Sequence, residues 1–115
     1  MAHVRIEGGE LIVEIEGLNK VWALKSRITV PLSHVRGATV DPGIVREPKG
    51  LRSPGTYMPG VIVAGTFHSD GERIFWDVRD ARKAIVIQLD DEEYARLVLE
   101  VDDPHAAVDL IEHAL

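Results

Sequence analysis

The fold is decided by residues 96–115, which read RLVLEVDDPHAAVDLIEHAL. Leu97, Leu99 and Val101 recur at every second position, and this period is typical of a strand with one buried face. The stretch 96–101 is therefore predicted to be a strand whose apolar side chains point into a core.

A helix is predicted to follow this strand directly. Asp103 is a good N-cap because its carboxylate can accept hydrogen bonds from the first amides of a helix. Pro104 suits the first helical position, where its missing amide donor costs nothing. The following apolar residues recur at helical spacing and predict one buried stripe: Ala107, Leu110, Ile111 and Ala114.

Moving toward the N-terminus, three further strands are predicted to form an antiparallel meander over residues 61–67, 72–78 and 84–89. The last of these is almost continuously apolar, which indicates burial on both faces. In the middle run, Ile74, Trp76 and Val78 share one face, and Trp76 is expected in the core.

Residues 43–60 are predicted to be one long irregular segment. They contain four glycines and three prolines, which disfavour a regular helix or a central strand. Loops of this length are often functional, although a loop that simply packs on the domain is an equally open interpretation.

A candidate interaction surface is predicted on and near this segment. An aromatic residue and a methionine with basic neighbours suit recognition of a peptide or an acidic partner, and a tryptophan outside the segment is a candidate interface anchor. The residues are Trp22, Arg46, Lys49, Arg52, Tyr57 and Met58.

The N-terminal half also reads as strands. Residues 3–7 and 10–16 flank Gly8 and Gly9, a pair that supplies the positive φ of a tight hairpin turn. Further strands are predicted at residues 27–30 and 35–40. Residues 17–26 fit either a helical turn or an irregular crossing. Residues 1–115 are thus expected to form a single mostly β domain, a sandwich or partly open barrel of about seven antiparallel strands with a C-terminal helix.

Three motifs, in this order, resemble the bacterial pleckstrin-homology-like domains. Residues 28–40, ITVPLSHVRGATV, resemble that group's V-P-L-x-x-I-x-x-V-x-V strand. Residues 54–67, PGTYMPGVIVAGTF, are similar to its Gly-rich approach to a central strand, and residues 101–111 are similar to the start of its helix. The resemblance implies a PH-like superfold, in which two orthogonal antiparallel sheets are closed at one end by the helix.

The same resemblance implies a binding module, and ring-like oligomers are known in the group. The phosphoinositide-binding branch of the superfold uses a basic loop between its first two strands. Here that loop is Gly8-Gly9 between Glu7 and Glu10, so binding to membrane phosphoinositides is not expected.

No catalytic residue, cofactor or metal site is predicted. The chain has no cysteine, its five histidines lack a metal-ligand spacing, and no G-x-S-x-G or G-x-G-x-x-G motif occurs. We therefore expect a cytoplasmic, non-enzymatic protein that binds an unknown protein or peptide partner. A small enzyme of unknown type is a less favoured alternative.

The charge distribution suggests a second function, self-association. The net charge of −6 argues against nucleic acid as a partner. Residues 20–52 hold seven basic and two acidic side chains, whereas residues 90–115 hold nine acidic and one basic. Such clusters are most often solvated surface, but two opposite poles would also suit a head-to-tail homo-oligomer.

Overall fold

A computed structural model of the chain describes residues 1–16, 27–46, 51–58, 62–69 and 71–115. These parts contain nine strands and one α-helix, α1, at Pro104–Ala114. The strands are β1 (Ala2–Glu7), β2 (Glu10–Ile15), β3 (Arg27–Pro31), β4 (Val35–Val40), β5 (Leu51–Met58), β6 (Ile62–Ser69), β7 (Glu72–Val78), β8 (Ala84–Leu89) and β9 (Arg96–Glu100). Short 3-10 turns occupy Leu32–His34, Pro42–Arg46 and Ala81–Lys83.

The strands form two sheets, and the predicted class, mostly β with a C-terminal helix, is confirmed. One sheet has three strands in the order β1-β2-β3. The other has six, in the order β4-β8-β9-β7-β6-β5. The Leu32–His34 turn carries the chain from one sheet to the other. Pro31, which has no amide to donate, ends a strand at the edge of its sheet.

The three-stranded sheet begins with the predicted hairpin. Gly8 and Gly9 have φ values of 55° and 78°, the positive angles that a two-residue turn between twisted strands requires. The turn pairs Glu7 with Glu10, and the register continues to Ala2 opposite Ile15.

The six-stranded sheet is buried on both faces at its centre. Phe75, Leu97 and Leu99 belong to an inner cluster shared with the three-stranded sheet, whereas Trp76 and Val98 belong to an outer cluster. Trp76 is 2% exposed and meets Phe67 edge-on, with ring centroids 6.4 Å apart. The predictions of a two-sided β8 and a core Trp76 are confirmed.

The strand order corrects the expectation of a simple antiparallel meander. β9 lies between β7 and β8, and it runs parallel to β7. All three strands are apolar on both faces, so the three central positions of the sheet bury them best. The described residues form nine strands, where about seven were expected.

The prediction of one irregular loop over residues 43–60 is wrong for much of its length. Pro42–Arg46 is a 3-10 turn, and Leu51–Met58 is the edge strand β5, paired with β6. The register shifts between Arg52 and Gly55, so the pairing tolerates Pro54 at an irregularity.

Helix α1 packs on both sheets, with its closest approaches to β4, β1 and β8. Asp103 caps it as predicted, because its Oδ1 accepts a hydrogen bond from the Ala106 amide at 3.1 Å. The buried stripe is shifted from the predicted one: Ala107, Val108 and Ile111 meet the inner cluster, whereas Leu110 is 44% exposed. Two of the four predicted stripe residues are alanines, whose small side chains fix the rotation of a helix weakly.

Candidate functional site

A groove of about 220 Å³ lies where the first strand, the turn before the helix and the helix itself come together. Its lining residues are Ala2, His3, Val4, Val101, Asp102, Asp103, Ala106, Ala107 and Leu110. We call it the β1–α1 groove. Its volume is below the usual range of small-molecule pockets, so it suits one or two side chains of a larger partner.

One wall of the groove is a strand edge. β1 has β2 on one side and, among the described strands, no neighbour on the other. Met1 and Glu16 exchange both of their backbone hydrogen bonds, at 3.0 and 3.3 Å. Because such pairs alternate along an antiparallel ladder, Ala2, Val4 and Ile6 direct their backbone N–H and C=O groups away from β2; Ala2 is buried at 1% exposure, whereas Val4 and Ile6 are half-buried.

The opposite wall is apolar and belongs to the helix. Ala106 and Ala107 are small, so the helix backbone and the strand enclose a space between them. Leu110 stands at this wall and is one of two exposed large apolar side chains in the described part of the chain, the other being Leu115 at 50%. An exposed leucine beside a strand edge gives a partner both apolar contact and backbone hydrogen bonds.

The rim of the groove is acidic. Asp102 and Asp103 line it, and the exposed Asp109 lies one helical turn beyond Ala106. Lys83 offsets part of this charge, with its Nζ 3.9 Å from Asp102 Oδ1. His3 is turned to Glu16, with Nε2 and Oε2 3.1 Å apart.

A second concave surface, of about 320 Å³, lies around the turn between β8 and β9. Three of its acidic side chains are paired. His34 Nδ1 lies 2.5 Å from Glu92 Oε2, and Arg73 Nη1 lies 3.5 Å from Glu93 Oε2. Arg36 donates a hydrogen bond to Asp90 and thereby lowers the pKa of that carboxyl. These contacts tie the turn to β4 and β7, so the carboxylates serve the fold more than a ligand.

A buried carboxylate occurs in the core as well. Asp77, on β7, is fully buried, and its Oδ2 lies 3.7 Å from the amino group of Met1. Buried charges of this kind are retained when they are paired, so Asp77 links the start of β1 to the six-stranded sheet. Across the described ranges, no three His, Asp or Glu side chains are arranged to hold a metal ion.

The residues predicted from sequence to form an interaction surface lie elsewhere. Trp22 and Lys49 are outside the described residues, and Arg46 ends the Pro42–Arg46 turn. The other three are in β5, where Arg52 pairs with Phe67, Tyr57 with Val63 and Met58 with Ile62. Arg52 and Tyr57 are thus separated along a strand, by roughly 16 Å at the usual rise per residue, and do not share a loop tip. Their role in binding stays a prediction.

Sequence reasoning missed the groove because its parts carry weak signals. Ala2 and Val4 belong to a run predicted as a strand, but nothing local says which strand is at an edge. The helical spacing predicts Leu110 in the buried stripe of the helix, and not at an exposed groove wall. Asp103 is predicted only as the helix cap, which it is, and no local pattern shows that Asp102 and Asp103 lie beside β1.

No helix in the described part of the chain is long and apolar enough to cross a membrane. Comparison of the chain with protein-family models, with curated proteins and with solved structures gives no match.

Proposed function

We propose that this protein is a non-enzymatic interaction module, which binds an extended segment of a partner protein in the β1–α1 groove. The observation that carries the proposal is the meeting, across a small apolar space, of an exposed leucine and a strand edge that no other described strand pairs with. Edges of this kind bind peptides by adding a strand, while neighbouring pockets select side chains.

The resemblance to bacterial pleckstrin-homology-like domains supports a binding role and is part of the proposal. The mostly β class and the closing helix agree with that resemblance, whereas the parallel β7–β9 pair departs from its all-antiparallel sheets. A cytoplasmic location is also proposed, because the chain lacks cysteine and needs no oxidising compartment.

The test uses the full chain labelled with ¹⁵N and three seven-residue peptides with a common Val-Thr-Val core. The core is flanked on both sides by Ser and then ends in Lys, in Ser or in Glu. We expect at least one peptide to shift the amide signals of Ala2, Val4 and Ala107. Small interfaces bind weakly, so the titration extends to millimolar peptide.

A matched pair of variants locates the binding. Leu110→Asp places a charge in the groove and should abolish the shifts, whereas Leu115→Asp alters an equally exposed leucine that does not line the groove and should leave them intact. The proposal is overturned if none of the three peptides shifts the groove amides, or if both variants bind like the parent chain.

Self-association is the second candidate function. It is favoured by β3, β4 and β5, which, like β1, stand at sheet edges among the described strands. Light scattering at low and high salt separates the two. A monomer mass at both salt concentrations excludes assembly through opposite charge poles, while a mass that falls as salt is raised supports it.

A further inference from the structure

We infer that the segment bound by the β1–α1 groove is a basic one: an extended chain that adds to β1 as a strand and carries Lys or Arg beside its apolar residues. The inference rests on the proposed function and goes further, since it names the chemistry of the partner and the manner of its binding.

The charge of the rim selects the partner. Asp102 and Asp103 line the groove and Asp109 lies close by, whereas Lys83 is the nearest basic side chain recorded against them. The side chain of Asp102 is 83% exposed and its contact with Lys83 is long, at 3.9 Å, so this carboxylate remains available to a second cation. A cation of the partner next to this rim gains attraction, and an anion there is repelled.

The same charge disfavours a second copy of this chain as the occupant. A two-fold dimer through this face would place the patch against itself. It would bring two sets of Asp102, Asp103 and Asp109 together in a region of the sequence that is already strongly acidic. Like charges that meet in this way cost an interface free energy, so a basic heterologous segment fits better.

The backbone sets the geometry of binding. Val4 and Ile6, which are half-buried, present their N–H and C=O groups on the side of β1 that has no neighbour among the described strands, whereas Ala2 is buried. A strand added there forms hydrogen bonds with Val4 and Ile6, and alternate side chains then point toward Ala106, Ala107 and Leu110. The small volume of the groove admits apolar side chains of the size of valine and leaves the longer basic side chains at the rim.

The experiment compares the Lys, Ser and Glu peptides on the same chain. At low salt the Lys peptide should bind about tenfold more tightly than the Glu peptide, since several exposed charge pairs each contribute modestly. The difference should shrink at about 0.5 M salt, where the screening length is only a few ångströms.

Charge variants identify the rim. The double substitution of Asp102→Asn with Asp109→Asn should remove most of the preference for Lys, whereas Glu72→Gln, a change at an exposed acid outside the groove, should not. Neither the double variant nor the Glu72→Gln control changes Asp103, so the helix cap is retained in both.

Hydrogen exchange tests the strand addition. Peptide binding should slow exchange at Val4 and Ile6, and N-methylation of the peptide's central residues should abolish binding. Equal binding of the three peptides, or a preference for Glu, overturns the basic partner while the proposed function survives. Unchanged exchange at Val4 and Ile6 overturns strand addition. Binding by none of the peptides overturns the proposed function itself.

Discussion

At the scale of single residues, Asp103 determines where the helix begins. Its carboxylate accepts the Ala106 amide hydrogen bond, and Pro104 follows it in a backbone conformation suited to the first turn. Replacing Asp103 with Ala removes the acceptor and leaves that amide without its cap. We expect Asp103→Ala to lower the free energy of unfolding by about 1 kcal/mol, measured by urea denaturation.

Asp102 provides the control for this prediction. It is the adjacent carboxylate, it is exposed, and it accepts no recorded helix-capping bond among the described residues. Asp102→Ala should change the unfolding free energy by no more than about 0.5 kcal/mol. Equal losses in the two variants would mean that general charge near the helix start matters, and not the cap.

A second residue-scale prediction concerns Asp80. Arg82 donates side-chain hydrogen bonds to both carboxylate oxygens, at 3.0 and 2.9 Å, and its backbone amide donates another. These bonds favour the charged form and hold the pKa of Asp80 below its usual value. In Arg82→Ala the backbone bond remains, so the pKa should rise only part of the way back in a carbon-detected NMR titration.

The sign of the stability effect follows from this lowered pKa. The stabilisation by Asp80 is fully present above the ordinary aspartate pKa of about 3.9 and is lost as the pH falls through the lower folded value. Arg82→Ala should therefore differ in stability from the parent near neutral pH and converge with it in strong acid. Arg79→Ala, at an exposed arginine nearby, should leave the titration of Asp80 unchanged.

At the scale of elements, the helix has one fully buried side chain, and Ala107 and Val108 are only partly buried. Ile111 is fully buried in the inner cluster, whereas its neighbour Leu110 is 44% exposed. Ile111→Ala should cost about 2–5 kcal/mol of unfolding free energy, because it leaves a cavity between helix and sheets. Leu110→Ala should cost no more than about 0.5 kcal/mol. Comparable losses in the two variants would restore the stripe expected from the sequence, in which both residues are buried.

Prediction from the sequence succeeded for several features whose signal is local. The glycine turn, the Asp103 cap and the two-sided β8 each depend on residues close together in the chain. The strand at Leu51–Met58 was missed because Pro54 and three glycines at positions 50, 55 and 60 argue against a strand, yet pairing with β6 is tolerated at an edge. The candidate site was missed for a related reason: edge position and helix rotation are set by tertiary packing.

At the scale of the whole molecule, the six-stranded sheet acts as a central layer with two cores. Leu99 and Ile74 occupy opposite sides of it, in the inner and outer clusters. Leu99→Ala and Ile74→Ala should each cost about 2–5 kcal/mol in denaturant unfolding. Gln88→Ala, at an exposed position of β8, should cost no more than about 1 kcal/mol. A neutral Ile74→Ala would show that the outer cluster contributes little.

The position of β9 has a consequence for how the chain acquires its fold. β7 and β8 follow one another in the chain but become joined only through β9, and β4 must find a partner as distant as Ile85 opposite Val40. Such contacts raise the contact order, and domains of this kind fold in milliseconds to seconds. Until residues 96–100 insert, two incomplete sheets present open edges to other chains. Dilution should therefore raise the yield of refolding more than any change of salt.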